Sequence, residues 1–561
     1  MPVCEVSMSD LEKLIGRRLD VETIEEALPK LKCEVEGFEG EVVVYEATHD
    51  RPDLFSAEGL ARALKGLLQI EVGLREFKWR EHMIAYNEGP SYRPYVLLAT
   101  VHGLRLDDEA VKQMMQLQEK LHATYGRGRK KVSIGIYDLS KVEPPIRYVE
   151  ADPDAVRFRP LDFDEEMSLR EILKRHPKGQ QYGHLIAGEE RYPLLVDSRG
   201  TVLSMPPIIN SEDTRVTEET RDVLIDVTAT DARAGAEVLT VVATSLAERG
   251  EWIGLVRVKG RERDYVLELD PRSSELEVSL VERLAGLKVT AEEAAQYLRM
   301  MRFGAAPKGA VVSVLIPAYR LDILHPVDLV EEVVMGYGYE NLVPEVPPPQ
   351  HAGREDPMER FSRKLREIAA GLGFQEVNNY MLTNKEVLYT RMNAPELPTV
   401  ELANPRQETF TCLRTWLIPQ LIQVLSRSKH AEYPQRIFEC GDVALIDESE
   451  DNMVREERRL ALAISDAKVT LTDIHAVVDA LMRLLGLSYS LASEEHPSFI
   501  SGRCASIIVE GVKVGIMGEI HPQVLVNWGL EKPVVAAEIS LTALMALGRK
   551  RAPRQLRGQK L

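Results

Sequence analysis

Four carboxylates between residues 322 and 332 could bind a cation. Asp322 precedes Pro326, and Asp328, Glu331 and Glu332 follow it. Proline is favoured in the first turn of a helix, so we predict that a helix begins at Pro326. That helix would place the last three carboxylates on one face, where they repel one another unless a cation lies among them, and hard oxygen ligands suit Mg²⁺. The same spacing fits acidic residues that stabilise the positive end of a helix dipole, so spacing alone leaves both interpretations open.

Histidine and cysteine do not complete a site for a transition metal. His325 lies beside the four carboxylates, but imidazole is a poor ligand for Mg²⁺, and we expect this side chain to pack or to cap the helix. The five cysteines lack the paired spacing of zinc sites and redox dithiols, and we predict that they are free thiols. They are Cys4, Cys33, Cys412, Cys440 and Cys504.

Two basic runs could meet a nucleic acid. They lie at residues 127–131 and in the tail, residues 548–561. The whole chain carries 70 basic and 88 acidic residues and a net charge of −18, which excludes a protein that coats nucleic acid with its entire surface. Any RNA contact would be local, and such runs are also typical of solvated loops and chain ends.

The elements that must position these residues form several domains. Helical periodicity at 278–284 and 291–301, on either side of Gly286, predicts a helix-turn-helix-like unit, and the proline run at 343–349 suits a connector. We predict an α+β, multi-domain fold. Its parts are an N-terminal module (1–90), a mixed α/β domain (91–260), the helix-turn-helix-like module (270–343), a proline-rich linker (344–355), a second sheet domain (356–547) and the basic tail (548–561).

Composition gives the class of protein. With 44% hydrophobic and 28% charged residues the chain has the composition of a soluble globular protein. No apolar run approaches the roughly 20 residues that a membrane span requires. The first residues lack the positive flank and apolar block of a secretory signal, so we expect a cytoplasmic protein that does not enter a membrane.

The segments around the four carboxylates resemble a known family. IPAYRLD at 316–322 and DLVEE at 328–332 are similar to a module of phenylalanyl-tRNA synthetase β subunits of the archaeal and eukaryotic type. RPDLFSAEGLAR at 51–62 is similar to the N-terminal signature of that family, with Ser56 placed to cap a helix. The resemblance implies that Asp322, Asp328, Glu331 and Glu332 hold Mg²⁺ in a structural role.

A second group of segments resembles the editing domain of the same family. They are MPPIINS at 205–211, VTEET at 216–220 and DVTATD at 226–231. The resemblance implies hydrolysis of tyrosine mischarged onto tRNA(Phe), because a pocket with a placed polar group selects tyrosine by pairing its hydroxyl. Asp226 would pair that hydroxyl, and Leu195, Ser204 and Thr228 would line the pocket. Ala229 stands where the family has glycine, which puts the strength of editing in doubt.

The last third of the chain resembles a synthetase domain that has lost its adenylation chemistry. LANP at 402–405, LRTWLIP at 413–419, KHAEYP at 429–434, IFECGD at 437–442 and MGEIHP at 517–522 follow the family in order. The glycine-rich arginine motif of ATP-binding class II synthetases is missing. The resemblance therefore implies that ATP and phenylalanine bind to a separate α subunit, in an α₂β₂ assembly that charges tRNA(Phe). Trp416, Leu417 and Leu421 fit either the interface with that subunit or an ordinary core.

Two alternatives come from other classes of protein. The helix-turn-helix-like pattern and the basic tail would suit a free-standing nucleic-acid-binding scaffold, but the two short helices carry acidic residues and do not resemble a reader of the major groove, so we expect no DNA. A free-standing hydrolase of mischarged tRNA would use the middle domain alone. That alternative leaves the synthetase-like part without a partner for its apolar faces.

Overall fold

The chain divides into two units, which meet in sequence between Val346 and Pro347. The structure, a computed structural model, describes residues 1–260, 263–348 and 351–551, with the backbone alone for 549–551. Helices and several separate sheets occur in both units, which confirms the predicted α+β, multi-domain class. The finer division into domains stays a prediction, and the basic tail beyond residue 551 lies outside the described residues.

The chain begins with a three-stranded antiparallel sheet in the order β1-β3-β2. Alternate residues of β3 are buried, Val43 and Tyr45 among them, as the two-residue period of a half-buried strand requires. The strands are β1 (Val3–Ser7), β2 (Cys33–Glu39) and β3 (Val42–Ala47). The helices are α1 (Met8–Ile15), α2 (Val21–Ala27) and α3 (Ala57–Leu67). Ser56 caps α3 as predicted, accepting a hydrogen bond from the Gly59 amide at 3.5 Å.

A nine-stranded mixed sheet follows, in the order β12-β11-β10-β7-β4-β14-β5-β13-β6. Its strands, with the short pair β8 and β9 that lies outside it, are β4 (Trp79–Asn87), β5 (Tyr95–His102), β6 (Val132–Asp138), β7 (Ile146–Ala151), β8 (Arg157–Phe158), β9 (Met167–Ser168), β10 (Tyr192–Val196), β11 (Val202–Met205), β12 (Ile209–Asn210), β13 (Val223–Ala229) and β14 (Trp252–Lys259). The helices are α4 (Asp108–Ala123), α5 (Leu169–Arg175), α6 (Pro177–Tyr182) and α7 (Ala232–Leu246).

Strand β13 is buried along its whole length because both faces of the sheet are covered there. Val223, Ile225 and Val227 belong to the same core as α7, whereas Leu224 packs with a second apolar cluster on the other face. Successive residues of a strand point to opposite faces, so Asp226 lies on the side of that second cluster.

The helix-turn-helix-like unit closes the first unit of the chain. A three-stranded antiparallel sheet in the order β15-β17-β16 carries three helices. The elements are β15 (Arg272–Glu277), β16 (Gly304–Lys308), β17 (Val311–Ile316), α8 (Val278–Ala285), α9 (Ala291–Met300) and α10 (Pro326–Tyr337). Helix α10 begins at Pro326 as predicted, and His325 caps it, since its Nδ1 accepts a hydrogen bond from the Val327 amide at 3.2 Å.

The second unit contains a seven-stranded sheet in the order β18-β21-β22-β26-β25-β24-β23. The strands, including the separate pair β19 and β20, are β18 (Gln375–Glu376), β19 (Leu382–Thr383), β20 (Cys412–Leu413), β21 (Gln435–Ile446), β22 (Val454–Ser465), β23 (Ser490–Ser493), β24 (Phe499–Val509), β25 (Val512–Ile520) and β26 (Val534–Ser540). The helices are α11 (Pro357–Gly371), α12 (Ile418–Arg427), α13 (Leu471–Leu484), α14 (Pro522–Asn527) and α15 (Leu541–Arg551). All pairings in this sheet are antiparallel except that of β18 with β21.

Two further findings concern the whole chain. All five cysteines are free, as predicted, and all five are buried. Burial raises the pKa of the Cys4, Cys33 and Cys504 thiols to about 12. None of the helices in the described part of the chain combines the length and apolar character that a bilayer span needs.

Candidate functional site

A cavity of about 330 Å³ lies beside the edge strand β6. It is enclosed by β6, α4 and the chain that follows β11, and both Ser204 and Asp226 line it. The other two predicted pocket residues do not line this cavity. Leu195 lies opposite Ser204 in the β10–β11 ladder and is buried in the apolar cluster behind it. Thr228 is fully buried beside Arg93.

Tyr137 connects the two predicted residues that do meet at the cavity. Its hydroxyl lies 2.7 Å from Ser204 Oγ and donates to Asp226 Oδ2. A phenol carries one proton, so Tyr137 accepts a hydrogen bond from Ser204 while it donates to the carboxylate. Tyr137 cannot be recognised from sequence, because its partners lie 67 and 89 residues further along the chain and nothing near it in the sequence points to them.

The environment of Asp226 shifts its protonation. Burial raises the pKa of this carboxyl to about 6, although the hydrogen bond from Tyr137 and the charge of Arg93 act in the opposite direction. Arg93 is itself buried and donates to the Thr228 hydroxyl and carbonyl oxygens at 2.8 and 2.7 Å. Thr228 thus holds the Arg93 guanidinium where its charge acts on Asp226.

Two small residues in the sheet bear on the space around Asp226. A Cβ on Gly135 would lie 2.1 Å from both Asp226 Oδ2 and the Tyr137 hydroxyl, so only glycine fits opposite Asp226 in β6. Ala229, which stands where the resembled family has glycine, lies in the core on the α7 side. Its side chain does not line the cavity and does not narrow it.

One residue of the basic run at 127–131 also belongs to the cavity wall. Arg129 is 6% exposed and donates to the Ile208 carbonyl oxygen at 2.8 Å and to Glu119 at 2.7 Å. The nearby His122 ring, 3.8 Å away, and the charges of Arg129 and Lys178 hold the pKa of Glu119 well below its usual range. This part of the run is therefore not a solvated loop.

The four carboxylates predicted to hold Mg²⁺ already have partners within the chain. The Arg320 guanidinium donates to both oxygens of Asp322, at 2.9 and 2.7 Å, and to both oxygens of Glu332, at 3.1 and 2.5 Å. Lys32 lies 2.8 Å from Glu331. Asp328 accepts hydrogen bonds from the amides of residues 324 and 325, both at 2.7 Å. Burial alone would raise the pKa of Asp322, but Arg320 holds it well below its usual range.

These contacts bear on whether the cluster fits a metal ion. Its oxygen donors are of the type that Mg²⁺ prefers, yet no three of the four carboxylates have oxygens within 4.8 Å of one another. Within the described ranges, the one group that converges so closely is Glu34, Glu36 and Glu46. In this arrangement the four carboxylates form ion pairs and a helix cap, and their role as Mg²⁺ ligands stays a prediction.

In the second unit, Glu439 of the IFECGD segment is turned inward. Glu439 is only 1% exposed. It forms an ion pair with Arg414 at 2.5 Å and accepts a hydrogen bond from the Asn379 side chain at 2.7 Å. Leu417 and Leu421 are fully buried in the core of this unit, so core packing is their role here.

Comparisons with known proteins agree with this architecture. Three family models match the chain: the B3/4 domain at 110–250, the tRNA synthetase B5 domain at 274–339 and the phenylalanyl tRNA synthetase beta chain CLM domain at 343–541. The phenylalanine–tRNA ligase beta subunit of Thermofilum pendens is 54% identical over 547 residues, which are 97% of this chain and 98% of the relative. The chain belongs to the phenylalanine–tRNA ligase β-subunit family.

Other members of the β-subunit family give the same result. The beta subunit of Pyrococcus abyssi is 45% identical over 97% of this chain and 100% of its own length. A crystal structure of an N-terminal fragment of the Pyrococcus horikoshii phenylalanyl-tRNA synthetase beta subunit has 42% identity and a TM-score of 0.58, and it covers 60% of this chain and 100% of the fragment. The predicted resemblance is confirmed, and the chain is a subunit of an aminoacyl-tRNA ligase.

Proposed function

We propose that the first unit hydrolyses tyrosine mischarged onto tRNA(Phe). The observation that carries this proposal is the line of hydrogen bonds from Ser204 through Tyr137 to Asp226 at the wall of a cavity of about 330 Å³. A cavity of this size fits an amino-acid side chain. A site that pairs a hydroxyl rejects the analogue without it far more strongly than an apolar pocket rejects an added hydroxyl, so tyrosine would be cleaved and phenylalanine spared.

Asp226 is the proposed partner of the tyrosine hydroxyl. One of its oxygens already accepts a hydrogen bond from the phenol of Tyr137, and an ionised carboxylate has a second oxygen free to accept another. With a pKa of about 6, this carboxyl is mainly ionised at neutral pH. Leu195 and Thr228 would support the site without touching the substrate. Leu195 packs in the apolar cluster around Tyr137, and Thr228 holds Arg93.

The charging reaction belongs, in this proposal, to an assembly with an α subunit. Glu439 is held in an ion pair with Arg414 and is not available to bind a substrate. ATP and phenylalanine would therefore bind to α. We infer an α₂β₂ heterotetramer that acts on tRNA(Phe) in the cytoplasm. The tRNA would reach the cavity past its basic wall, where Arg129 and Lys178 lie.

The experiment is to measure Phe-tRNA formation by the chain alone and with α, and Tyr-tRNA hydrolysis in the same samples. Charging only in the mixture, with Tyr-tRNA cleaved and Phe-tRNA spared, supports both assignments. Asp226→Asn should abolish the preference for Tyr-tRNA, whereas Asp154→Asn, an exposed residue of the same domain paired with Arg170, should leave it unchanged. Charging that does not depend on this chain would favour a free-standing scaffold, and hydrolysis without any effect on charging would favour a free-standing hydrolase.

Mg²⁺ binding by Asp322, Asp328, Glu331 and Glu332, in a structural role, is a separate proposal. Lys32 competes for Glu331, so calorimetric titration of Mg²⁺ should show tighter binding in Lys32→Met and weaker binding in Glu331→Gln. Glu34→Gln, in the unrelated acidic group, is the control. Equal affinity in all the proteins would overturn the assignment of these residues.

A further inference from the structure

A small cavity in the first unit is lined by four arginines from separate parts of the chain. Arg51 precedes α3, Arg62 lies within it, Arg302 follows α9, and Arg320 follows β17. None of the four is more than 4% exposed. The cavity, here called the arginine cavity, has a volume of about 10 Å³. That is room for one small ion or one water molecule.

Several donors around the arginine cavity lack acceptors. Arg51 Nη1, Arg62 Nη2, Arg302 Nε and the Tyr319 hydroxyl are buried and have no hydrogen-bond partner among the residues that the structure describes. Tyr319 is 2% exposed and lines the same cavity. The central carbon of the Arg62 guanidinium lies over the Tyr319 ring, 3.7 Å from the ring centre. A guanidinium can only donate hydrogen bonds, so the three arginine nitrogens among these four atoms need a hydrogen-bond acceptor.

The carboxylates nearby are already in use. Both oxygens of Asp53 accept hydrogen bonds from Arg51, at 2.9 and 3.0 Å. Asp322 and Glu332 are held by Arg320 through both of their oxygens. A water molecule would bring two protons that need acceptors of their own, whereas an anion accepts from several donors and has none to place.

Each of the four guanidinium groups is also paired with a carboxylate. Arg62 lies 3.3 Å from Glu248 and Arg302 lies 3.5 Å from Glu71, in addition to the pairs of Arg51 and Arg320 given above. These ion pairs compensate the positive charges, but they leave the three N–H groups and the Tyr319 hydroxyl without acceptors in the described part of the chain. Hydrogen bonding, and not net charge, is what an anion would supply in this cavity.

We propose that the arginine cavity binds a monoatomic anion of the size of chloride. The ion would accept hydrogen bonds from Arg51, Arg62, Arg302 and Tyr319. It would join the RPDLF segment at 51–55, which comes before α3, to the chain between β17 and α10. This assigns a role to a motif that takes no part in the proposed editing site.

The test is the thermal unfolding of the full chain as chloride replaces gluconate at constant ionic strength. We expect a saturable rise in the melting temperature. Tyr319→Phe, which removes one donor and keeps the ring, should raise the chloride midpoint by roughly five- to tenfold. Tyr45→Phe is the matched control. Its buried hydroxyl donates to the Leu54 carbonyl oxygen at 2.7 Å and not to the cavity, so this variant should melt lower with an unchanged midpoint.

A second measurement locates the ion and does not depend on how well a variant folds. Crystals of the natural chain soaked in bromide should give an anomalous peak among Arg51, Arg302 and Tyr319. Arg302→Lys, which keeps the charge and removes the Nε donor, should weaken that peak. A melting temperature independent of chloride, or crystals with a water molecule and no bromide in the arginine cavity, would overturn the proposal.

Discussion

At the residue scale, the cavity beside β6 depends on a carboxyl that is costly to bury. The charge of Arg93 favours the ionised form of Asp226, but the Arg93 guanidinium donates to Thr228, and the direct hydrogen bond to Asp226 comes from the neutral phenol of Tyr137. A group with a pKa of about 6 binds a proton more tightly in the folded chain than in the unfolded one, where the ordinary value is 3.8. Stability therefore falls as the pH rises from about 4 to about 6.

Asp226→Asn should remove this dependence. Above pH 6 the variant should be more stable than the natural chain, by about 1–3 kcal/mol, because no charge is buried at this position. Below pH 4 the two proteins should differ little. Denaturant unfolding at pH 4, 5, 6 and 7 measures the difference, and a gap that does not grow with pH would contradict the raised pKa.

Tyr137→Phe tests the connection between Ser204 and Asp226. The hydrogen bond from Tyr137 lowers the pKa of Asp226, so its loss should move the pH midpoint of Tyr-tRNA hydrolysis upward and reduce the rate about tenfold at neutral pH. Tyr148→Phe is the control, since that hydroxyl lies in the same apolar cluster but donates to the Arg93 carbonyl oxygen. A lower rate with the same midpoint would mean that Tyr137 only supports the packing.

At the scale of elements, the sequence predicted α10 well and its surroundings poorly. The start at Pro326, the cap at His325 and the acidic face follow from local rules about proline, caps and helical spacing. The partners of that face do not, because Lys32 is 299 residues away from Glu331. Tyr137 escaped detection for the same reason.

Arg320→Met should show how much α10 depends on one guanidinium. It would leave Asp322 and Glu332 buried without their cation, which destabilises a protein by about 3–5 kcal/mol. Adding Asp322→Asn and Glu332→Gln to the same protein should restore much of the loss. Calorimetric unfolding of the single and triple variants measures both effects, and a triple variant as unstable as the single one would show that packing, and not charge, is responsible.

At the scale of the whole molecule, one apolar core extends through the first unit. It contains Cys4 and Val43 from the N-terminal sheet, Val227 and Val241 from the large sheet and α7, and Met335 from α10. The segments that sequence patterns divide into three parts therefore depend on one another for burial. Pattern analysis finds changes of periodicity, and a core shared by distant segments leaves no such mark.

This shared core predicts which pieces of the chain can fold. A fragment of residues 1–346 should melt cooperatively, because the core of the first unit is complete within it. A fragment of residues 1–260 loses α8, α9 and α10, exposes the core that they cover, and should aggregate. Circular dichroism melts and size-exclusion chromatography of the two fragments provide the check, and a stable, monomeric shorter fragment would contradict the shared core.

The burial of every cysteine makes the chain a convenient starting point for fluorescence work. Thiolate is the form that reacts with maleimides, and buried thiols with raised pKa values supply very little of it. A single cysteine introduced on the surface, near Lys178 at the cavity for example, would take up a dye almost alone. The natural cysteines could all be kept, and binding of the proposed tRNA substrate could be tested on the otherwise unaltered protein.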